Sequence, residues 1–356
     1  MARLKPGDTI GILGGGQLGR MLALAAARLG LKAHIFCPDK RSPAFQVADA
    51  ATVAPYADEA ALAAFARAVD VVTYEFENIP AETVAYLKAR KPLRPGEEAL
   101  RTSQDRLSEK TFLERIGVPT APYRAFSSEA ELAEAADAIG YPCIAKTRRF
   151  GYDGKGQTRL EDPRDVADAW QTLGTANSVL EGFVPFDREI SVIVARALDG
   201  RTATFPLCEN THVDHILDET LAPARVSDAI ARTACGHANR AVSALGYVGV
   251  LTVEMFVIDD GEQVIANEIA PRVHNSGHWT IEGATTSQFE QHVRAIAGWP
   301  LGDPSAVGTA RMKNLIGHAA DDWPGYLDDP AAHLHLYGKH DARPGRKMGH
   351  VTWVDV

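Results

Sequence analysis

Residues 148–157 read RRFGYDGKGQ, with three glycines set among two arginines, a lysine, an aspartate and a tyrosine. The stretch follows an apolar run, 142–146, that is predicted to be a strand ending at Lys146. Glycine lets a loop fold so that successive backbone N–H groups point at one anion, and such a loop can open and close. Lys146 would add a point charge to phosphates. We interpret the stretch as a mobile phosphate-binding loop; a glycine-rich hairpin tip with solvated charges is the alternative.

A second glycine-rich turn lies near the N-terminus. Gly14, Gly16 and Gly19 follow a predicted strand, Thr9–Leu13, and open a predicted helix. Backbone N–H groups at a helix start bind anions, so phosphate binding is favoured over a turn without a ligand. Asp39 lies roughly where a dinucleotide-binding protein places its ribose carboxylate. Dinucleotide binding is less favoured because the rest of the chain carries a different nucleotide-binding apparatus.

Two carboxylates lie in otherwise apolar strands. Glu254 is the lone charge in 250–258, VLTVEMFVI, and Glu268 is the lone charge in 264–269, VIANEI. Burying an unpaired charge costs several kcal/mol, on the order of 3–5, so each needs a cation or a proton. The intervening residues, DDGE, indicate a hairpin that brings the two strands together.

The length of the hairpin loop decides whether these carboxylates meet. A three-residue loop, 260–262, puts Glu254 opposite Glu268 on one face of the sheet, whereas a two-residue loop would put Glu254 opposite Asn267. Two carboxylates side by side repel each other unless a divalent cation lies between them. Carboxylate and phosphate oxygens suit magnesium and not zinc. Two exposed carboxylates at a sheet edge are the less favoured alternative.

A polar loop, 269–279, follows the second of these strands and reads IAPRVHNSGHW. We interpret it as an active-site loop in which Arg272 neutralises a transferring phosphoryl or carboxylate group. His274 and His278 are spaced as two metal ligands on a helix would be, but a proline and a glycine within the loop oppose a helix there. The remaining paired histidines are interpreted as structural or surface residues rather than metal ligands: His212, His215, His333 and His335.

Composition excludes several classes of protein. The chain has 356 residues, of which 46% are apolar, which predicts two or three packed units. Its net charge of −9 disfavours binding to a nucleic acid. The four cysteines form no CxxC pair, which is typical of reduced thiols in a cytoplasmic protein. Neither an export signal nor an apolar run long enough to span a membrane is recognised, so no membrane partner is expected.

The order of motifs is similar to that of the ATP-grasp superfamily, and within it the chain resembles the 5-(carboxyamino)imidazole ribonucleotide synthase family. The resemblance extends over nearly the whole chain. It is carried by GILGGGQLGRM (11–21), YEFENI (74–79), RRFGYDGKGQ (148–157), NEIAPRVHNSGHWT (267–280), SQFEQHVRAI (287–296) and RPGRKMGH (343–350).

The resemblance implies an α/β and α+β chain with an ATP-grasp fold. It implies an N-terminal Rossmann-like domain with a parallel sheet (1–105), a lid domain with the glycine-rich loop (106–185), a central domain with the metal site (186–308) and a small C-terminal β subdomain that binds substrate phosphate (309–356). The alternation of strands and helices in the first 105 residues independently predicts a parallel sheet.

The resemblance also implies an ATP-dependent carbon–nitrogen ligase of purine biosynthesis. Such an enzyme joins bicarbonate to 5-aminoimidazole ribonucleotide through carboxyphosphate, with ATP converted to ADP and phosphate. The expected cofactors are ATP and one or two Mg²⁺ ions bound by Glu254 and Glu268, and a homodimer is expected.

By match of motif, glutamates 181 and 189 would lie at the adenine and the ribose of ATP. The residues implied to bind ATP are Arg106, Lys146, Gly151, Tyr152, Asp153, Gly154, Lys155, Gly156, Gln157, Glu181, Gly182, Phe183, Val184, Glu189, His212, Asn267 and Glu268. Those implied to bind the other substrates are Gly16, Gln17, Leu18, Glu75, Tyr152, Asp153, Arg272, His274, Asn275, Lys339, Arg346 and Lys347. Those implied to act in catalysis are Arg272, Asp153, Tyr152, His274 and Lys155, with Asp153 as the candidate acceptor of the amine proton.

Three other functions remain as alternatives. Another ATP-grasp ligase or transformylase would share the nucleotide site, but the RVHNSGHW and RPGRK stretches argue against it. A nicotinamide-dependent dehydrogenase would explain only residues 9–39. A nucleotide sensor without catalysis would tolerate loss of Glu254, Glu268 or Arg272, all of which are present.

Overall fold

A computed structural model describes residues 3–151, 154–174 and 177–356. In the N-terminal part, parallel strands pair in the order β3-β2-β1-β4, as the alternating pattern predicted. The elements are β1 (Thr9–Leu13), α1 (Gln17–Arg28), β2 (Lys32–Phe36), β3 (Ala50–Thr52), α2 (Glu59–Ala68), β4 (Val71–Tyr74), α3 (Ala81–Lys88) and α4 (Glu97–Ser103), with a 3-10 turn at Pro43–Gln46.

A small antiparallel sheet carries the glycine-rich loop between two of its strands. Its strands pair in the order β5-β8-β6-β7, and the loop joins β6 to β7. The elements are α5 (Arg106–Arg115), β5 (Tyr123–Phe126), α6 (Glu129–Ile139), β6 (Cys143–Thr147), β7 (Gln157–Leu160), α7 (Val166–Leu173) and β8 (Ser178–Gly182). A helix over 162–173 is the expectation from sequence, but Asp162 caps a separate 3-10 turn, Pro163–Asp165, before α7 begins.

The remaining strands form one antiparallel sheet in the order β14-β13-β9-β11-β12-β15-β17-β16, with β10 beside β9. The strands after residue 308 therefore continue the central sheet instead of forming a separate one. The elements are β9 (Arg188–Arg196), β10 (Thr202–Thr204), β11 (Cys208–Val213), β12 (Ile216–Ala222), α8 (Asp228–Ala244), β13 (Gly249–Ile258), β14 (Gln263–Ala270), α9 (Thr280–Gly283), α10 (Gln288–Ala297), β15 (Thr309–Ile316), α11 (Trp323–Leu327), β16 (His333–Leu336) and β17 (Lys347–Asp355), with 3-10 turns at Asn275–Gly277 and Gly317–Asp322.

Helix α10 joins the parallel sheet to the central sheet. It packs against α1 on one side and against β13 and β9 on the other, and nearly all of its residues are buried. His292 on α10 contacts Thr73 at the end of β4, with 2.8 Å between Nε2 and Oγ1. This packing sets the end of β4 at a fixed distance from β13. Glu75 and Glu77, which follow β4, and Glu254 on β13 contribute acidic side chains to the site described next.

The described part of the chain has no helix that is both long and apolar enough to cross a membrane. Cys37, Cys143 and Cys208 are buried as free thiols, and Cys235 is a partly buried one.

Candidate active site

A cavity of about 1180 Å³ opens between the small antiparallel sheet, the central sheet and the end of β4. Most residues implied to bind ATP line it: Arg106, Lys146, Gly151, Gly154, Lys155, Gly156, Gln157, Glu181, Gly182, Phe183, Val184, Glu189, His212, Asn267 and Glu268. Of those implied to bind the other substrates, it is lined by Gln17, Leu18, Glu75, Arg272, His274, Asn275 and Lys347. Tyr152 and Asp153 lie outside the described residues.

Three of the expected substrate residues do not line the cavity: Gly16, Lys339 and Arg346. Arg346 donates to the backbone oxygen of Asp341. Lys339 donates through Nζ to the backbone oxygen of Lys347 at 2.6 Å. The basic segment therefore presents Lys347 to the cavity, with Lys339 just behind it.

Glu254 and Glu268 are directly paired across β13 and β14. The predicted pairing is confirmed, but the hairpin has neither of the two loop lengths considered from the sequence. Ile258 pairs with Gln263, so the hairpin loop has four residues, and that register alone would put Glu254 opposite Asn267. A β-bulge between Met255 and Glu254 shifts the register by one residue and restores the pairing.

The two paired carboxylates form an acidic site that fits a divalent cation. Burial, and then the charge of Glu268, raise the pKa of Glu254 to about 8. Arg106 partly neutralises Glu268, with 3.1 Å between Nη1 and Oε2. Among the residues described, no three His, Cys, Asp or Glu side chains are grouped as a complete metal site. Two carboxylates with room for phosphate oxygens in the adjoining cavity are a donor set that suits Mg²⁺.

One carboxylate, Glu181 on β8, holds three cations. Arg106 Nε lies 3.0 Å from Oε1, Lys146 Nζ lies 2.9 Å from Oε2, and Lys110 Nζ lies 3.3 Å from Oε2. Burial would raise the pKa of Glu181, but the three cations together hold it well below its usual value. Burial, and then the charge of Arg106, lower the pKa of Lys146 to about 8. Positive charge is thus concentrated where the glycine-rich loop begins.

Arg272 is held by a carboxylate from the N-terminal domain. Its Nε donates to Glu77 Oε2 at 2.5 Å and its Nη2 donates to Oε1 at 3.2 Å. Burial alone would raise the pKa of Glu77, but the guanidinium lowers it. This fork is the strong geometry for an arginine and a carboxylate, and it fixes the direction of the guanidinium at the cavity wall.

The loop that follows Arg272 is fixed from behind by buried amides. Gln288 on α10 accepts from His274 N–H through Oε1 at 2.9 Å and donates through Nε2 to the His274 backbone oxygen at 2.6 Å. Asn275 and Asn314 exchange two side-chain hydrogen bonds, of 2.9 and 2.8 Å. The orientation of His274 and Asn275 is therefore determined by residues far along the chain.

The turn at Gly14–Gly19 already holds an anion, which is Glu75. Gly16 N–H donates to Oε1 at 2.6 Å and Gly19 N–H donates to Oε2 at 2.8 Å. A Cβ on Gly16 would lie 2.6 Å from that Oε1, so glycine is required by the close approach. Burial raises the pKa of Glu75. These amides, expected to bind phosphate, are occupied by the chain's own carboxylate.

On the opposite side of the cavity, Glu189 and His212 hydrogen-bond each other. Burial alone would lower the pKa of His212, but the bond to Glu189 raises it. At the loop tip, a Cβ on Gly154 would lie 2.7 Å from the ring of His215, and φ there is +77°. The described part of the glycine-rich loop therefore packs closely on the turn between β11 and β12.

Sequence reasoning gave no role to four residues that shape the site: Glu77, Glu109, Lys110 and Gln288. Glu77 and Gln288 lie inside stretches that were quoted for the resemblance but were given no role. Glu109 and Lys110 lie on α5, and their burial in an otherwise charged helix becomes visible only when Glu181 packs against it. In the sequence, a functional role for Glu77 was indicated only by YEFEN (74–78), in which glutamates alternate with aromatic residues.

Three family models match successive parts of the chain. A ribonucleotide synthetase preATP-grasp domain matches residues 8–104, an ATP-grasp domain matches residues 111–289, and a phosphoribosylaminoimidazole carboxylase C-terminal domain matches residues 310–356. The predicted ATP-grasp fold is thereby confirmed.

Curated relatives match over nearly all of this chain. An N5-carboxyaminoimidazole ribonucleotide synthase of Brucella melitensis is 50% identical over 353 residues, covering 99% of this chain and 97% of the relative. The chain is also 46% identical to a bifunctional purine synthesis protein of Dictyostelium discoideum, with 98% of this chain covered but only 37% of that longer protein.

Solved structures agree with these relatives. The ADP complex of an N5-carboxyaminoimidazole ribonucleotide synthetase has a TM-score of 0.96 and 43% identity, covering 100% of this chain and 94% of that one. An Aspergillus clavatus N5-carboxyaminoimidazole synthase in complex with ADP and 5-aminoimidazole ribonucleotide has a TM-score of 0.91 and 35% identity, covering 98% of this chain and 94% of that one. The likeness therefore includes every element that lines the cavity.

Proposed function

We propose that this chain, which belongs to the N5-carboxyaminoimidazole ribonucleotide synthase family of ATP-grasp proteins, joins bicarbonate to the exocyclic amine of 5-aminoimidazole ribonucleotide. ATP is converted to ADP and phosphate in the same cycle. The observation that carries the proposal is the single cavity in which the cations around Glu181, the paired carboxylates and Arg272 all meet. The ADP and 5-aminoimidazole ribonucleotide bound to the Aspergillus relative support the choice of substrates.

In the first step an oxygen of bicarbonate attacks the γ-phosphoryl group of ATP, the bond to ADP breaks, and carboxyphosphate forms. Lys146 and Arg106 are placed to neutralise the phosphates, because both line the cavity beside the glycine-rich loop. Such reactions depend mainly on positioning and on the neutralisation of charge. Glu254 and Glu268 would hold Mg²⁺, which supplies charge neutralisation to the phosphate oxygens when it is bound.

In the second step the amine nitrogen attacks the carboxyl carbon and the bond from that carbon to the phosphate oxygen breaks. The nitrogen loses a proton, which the departing phosphate takes up. Arg272, fixed by Glu77, faces the cavity where a carboxylate would develop. Carboxyphosphate reacts with water, so a glycine-rich loop that closes over it would protect it. Lys347 lines the cavity and, with Lys339 behind it, provides positive charge for the 5′-phosphate of the substrate.

We further propose the domain borders 1–105, 106–185, 186–308 and 309–356, a homodimer, and a cytoplasmic location. The family models, with edges at residues 104, 111, 289 and 310, support the first and the last of these borders, whereas the border at 185/186 lies inside the ATP-grasp match. Analytical ultracentrifugation tests the dimer.

Phosphate release from ATP is the decisive assay. We expect release that depends on Mg²⁺, bicarbonate and 5-aminoimidazole ribonucleotide together, with product detected by incorporation of labelled bicarbonate. Glu254→Gln should abolish incorporation, while Glu98→Gln, at an exposed surface pair, should not. ADP formation that ignores 5-aminoimidazole ribonucleotide, or requires formate in place of bicarbonate, would refute the proposal and favour another ATP-grasp ligase.

A further inference from the structure

A chain of hydrogen bonds runs from the buried side of the central sheet to His274 at the cavity wall. Thr220 Oγ1 donates to Asn210 Oδ1 at 3.0 Å, and Asn210 Nδ2 donates to Ser191 Oγ at 3.0 Å. Ser191 Oγ donates to Ser276 Oγ at 2.7 Å. All four residues are buried, with Ser191, Thr220 and Ser276 fully enclosed.

The last link of this chain determines which nitrogen of His274 carries its proton. Ser276 Oγ lies 2.9 Å from His274 Nδ1, and the backbone N–H of Ser276 also points at Nδ1, at 3.3 Å. A backbone N–H can only donate, and the Ser276 hydroxyl, having accepted from Ser191, has its own proton to give. Nδ1 therefore accepts from both groups and holds no proton.

The other ring nitrogen must then be N–H. Nε2 lies 3.4 Å from Glu254 Oε1 at the cavity wall. A second proton on the ring would point Nδ1–H at the N–H of Ser276, so the arrangement favours neutral imidazole.

We infer that His274 serves as a fixed hydrogen-bond donor through Nε2–H, and that Ser191, Asn210, Thr220 and Ser276 are the positioning residues that impose this tautomer. The inference deepens the proposed function, on which its catalytic part rests. His274 stabilises negative oxygen at the cavity wall, whether of Glu254 or of the carboxyl group that is being transferred. It does not accept the proton that leaves the substrate amine.

The tautomer is tested without substrates, on the full-length protein labelled with ¹⁵N in its histidine rings. We expect the His274 signals of a ring with Nδ1 unprotonated and Nε2 protonated, assigned by their absence in His274→Gln. Ser191→Ala should move these signals towards the other tautomer, and Ser191→Thr, which keeps the hydroxyl, should restore them. Thr352→Val is the matched control, because its buried hydroxyl has no hydrogen-bond partner among the residues described. A protonated Nδ1 in the wild-type protein would overturn the inference, as would signals that Ser191→Ala leaves in place.

The role is tested by two variants of the ring itself. Glutamine places an amide N–H near the position of Nε2 but takes up no proton, whereas asparagine reaches only as far as Nδ1. We expect His274→Gln to keep kcat within about tenfold of wild type, and His274→Asn to lose about 10²–10³-fold, the usual cost of one missing donor. KM for ATP should stay unchanged in both. Equal losses in the two variants would show that His274 works as a base. If wild-type protein lacks the proposed activity, the proposed function fails while the NMR result still decides the tautomer.

Discussion

Replacing Glu181 with glutamine should destabilise the folded protein strongly, because one buried carboxylate neutralises three cations. Lys110, whose side chain is 1% exposed, cannot turn to water, and Lys146 is 13% exposed. Removing one partner of a buried ion pair costs about 3–5 kcal/mol. Two unit charges about 6 Å apart also repel by about 3 kcal/mol at an effective dielectric constant of 20. Arg106 can relax towards Glu268, so we expect a loss of about 3–5 kcal/mol in the free energy of unfolding.

The assay is equilibrium unfolding in urea, applied to a double-mutant cycle. Lys110→Met removes one cation, so the pair Glu181→Gln with Lys110→Met should be less destabilised than the sum of the two single changes. The coupling expected for contacting charges is about 0.5–3 kcal/mol. The same cycle on Glu98 and Arg101, whose side chains are 52% and 71% exposed, should give about 0–1 kcal/mol. A free energy of unfolding for Glu181→Gln within about 1 kcal/mol of wild type, the value of one hydrogen bond, would refute the expected destabilisation. So would effects of the two single changes that simply add.

Glu77→Gln should weaken the two hydrogen bonds that Arg272 donates to this carboxylate, and should lower kcat/KM for carboxylation about 10–100-fold in steady-state kinetics. An unchanged kcat/KM would mean that other contacts hold Arg272. Glu109 has a pKa raised by burial from 4.5 to about 8, so its ionisation costs stability as pH rises through that window. In thermal unfolding, Glu109→Gln should have a higher Tm than wild type, and this difference should increase from pH 5 to pH 8, roughly the two pKa values. A difference in Tm that does not depend on pH would contradict the expectation. Gly16→Ala places a Cβ 2.6 Å from Glu75 Oε1, so it should lower the free energy of unfolding in urea by about 1–3 kcal/mol. An unchanged free energy would show that the turn opens to make room for the methyl group.

Several features were predictable because they depend on neighbours in the chain. The glycine-rich turn after a predicted strand indicated a helix there, and the structure has α1 from Gln17 to Arg28. The strand before the glycine-rich loop was also predicted to within one residue. Periodicity and glycine conformation are local properties, so one stretch of sequence contains the whole signal.

The pairing of Glu254 with Glu268 shows how a correct prediction can rest on an incorrect step. The loop has four residues, and only the bulge at Glu254 brings the two carboxylates opposite each other. The extra residue is Asn267 on β14, which is skipped between Ala266 and Glu268, while β13 keeps an unbroken register with β9. A count of loop residues cannot include a bulge inside the strand.

From its own residues the sequence determined which chemistry was available: a flexible anion-binding loop, acidic strands suited to magnesium, and an arginine loop beside them. Only the tertiary structure decided which charges meet. It assigned Glu75 to the glycine turn, Glu77 to Arg272, and three cations to Glu181, across separations of up to 195 residues in the chain. The physical reason is that a side chain's type is local, whereas its desolvation and its counter-charges depend on which distant groups packing brings within a few ångströms.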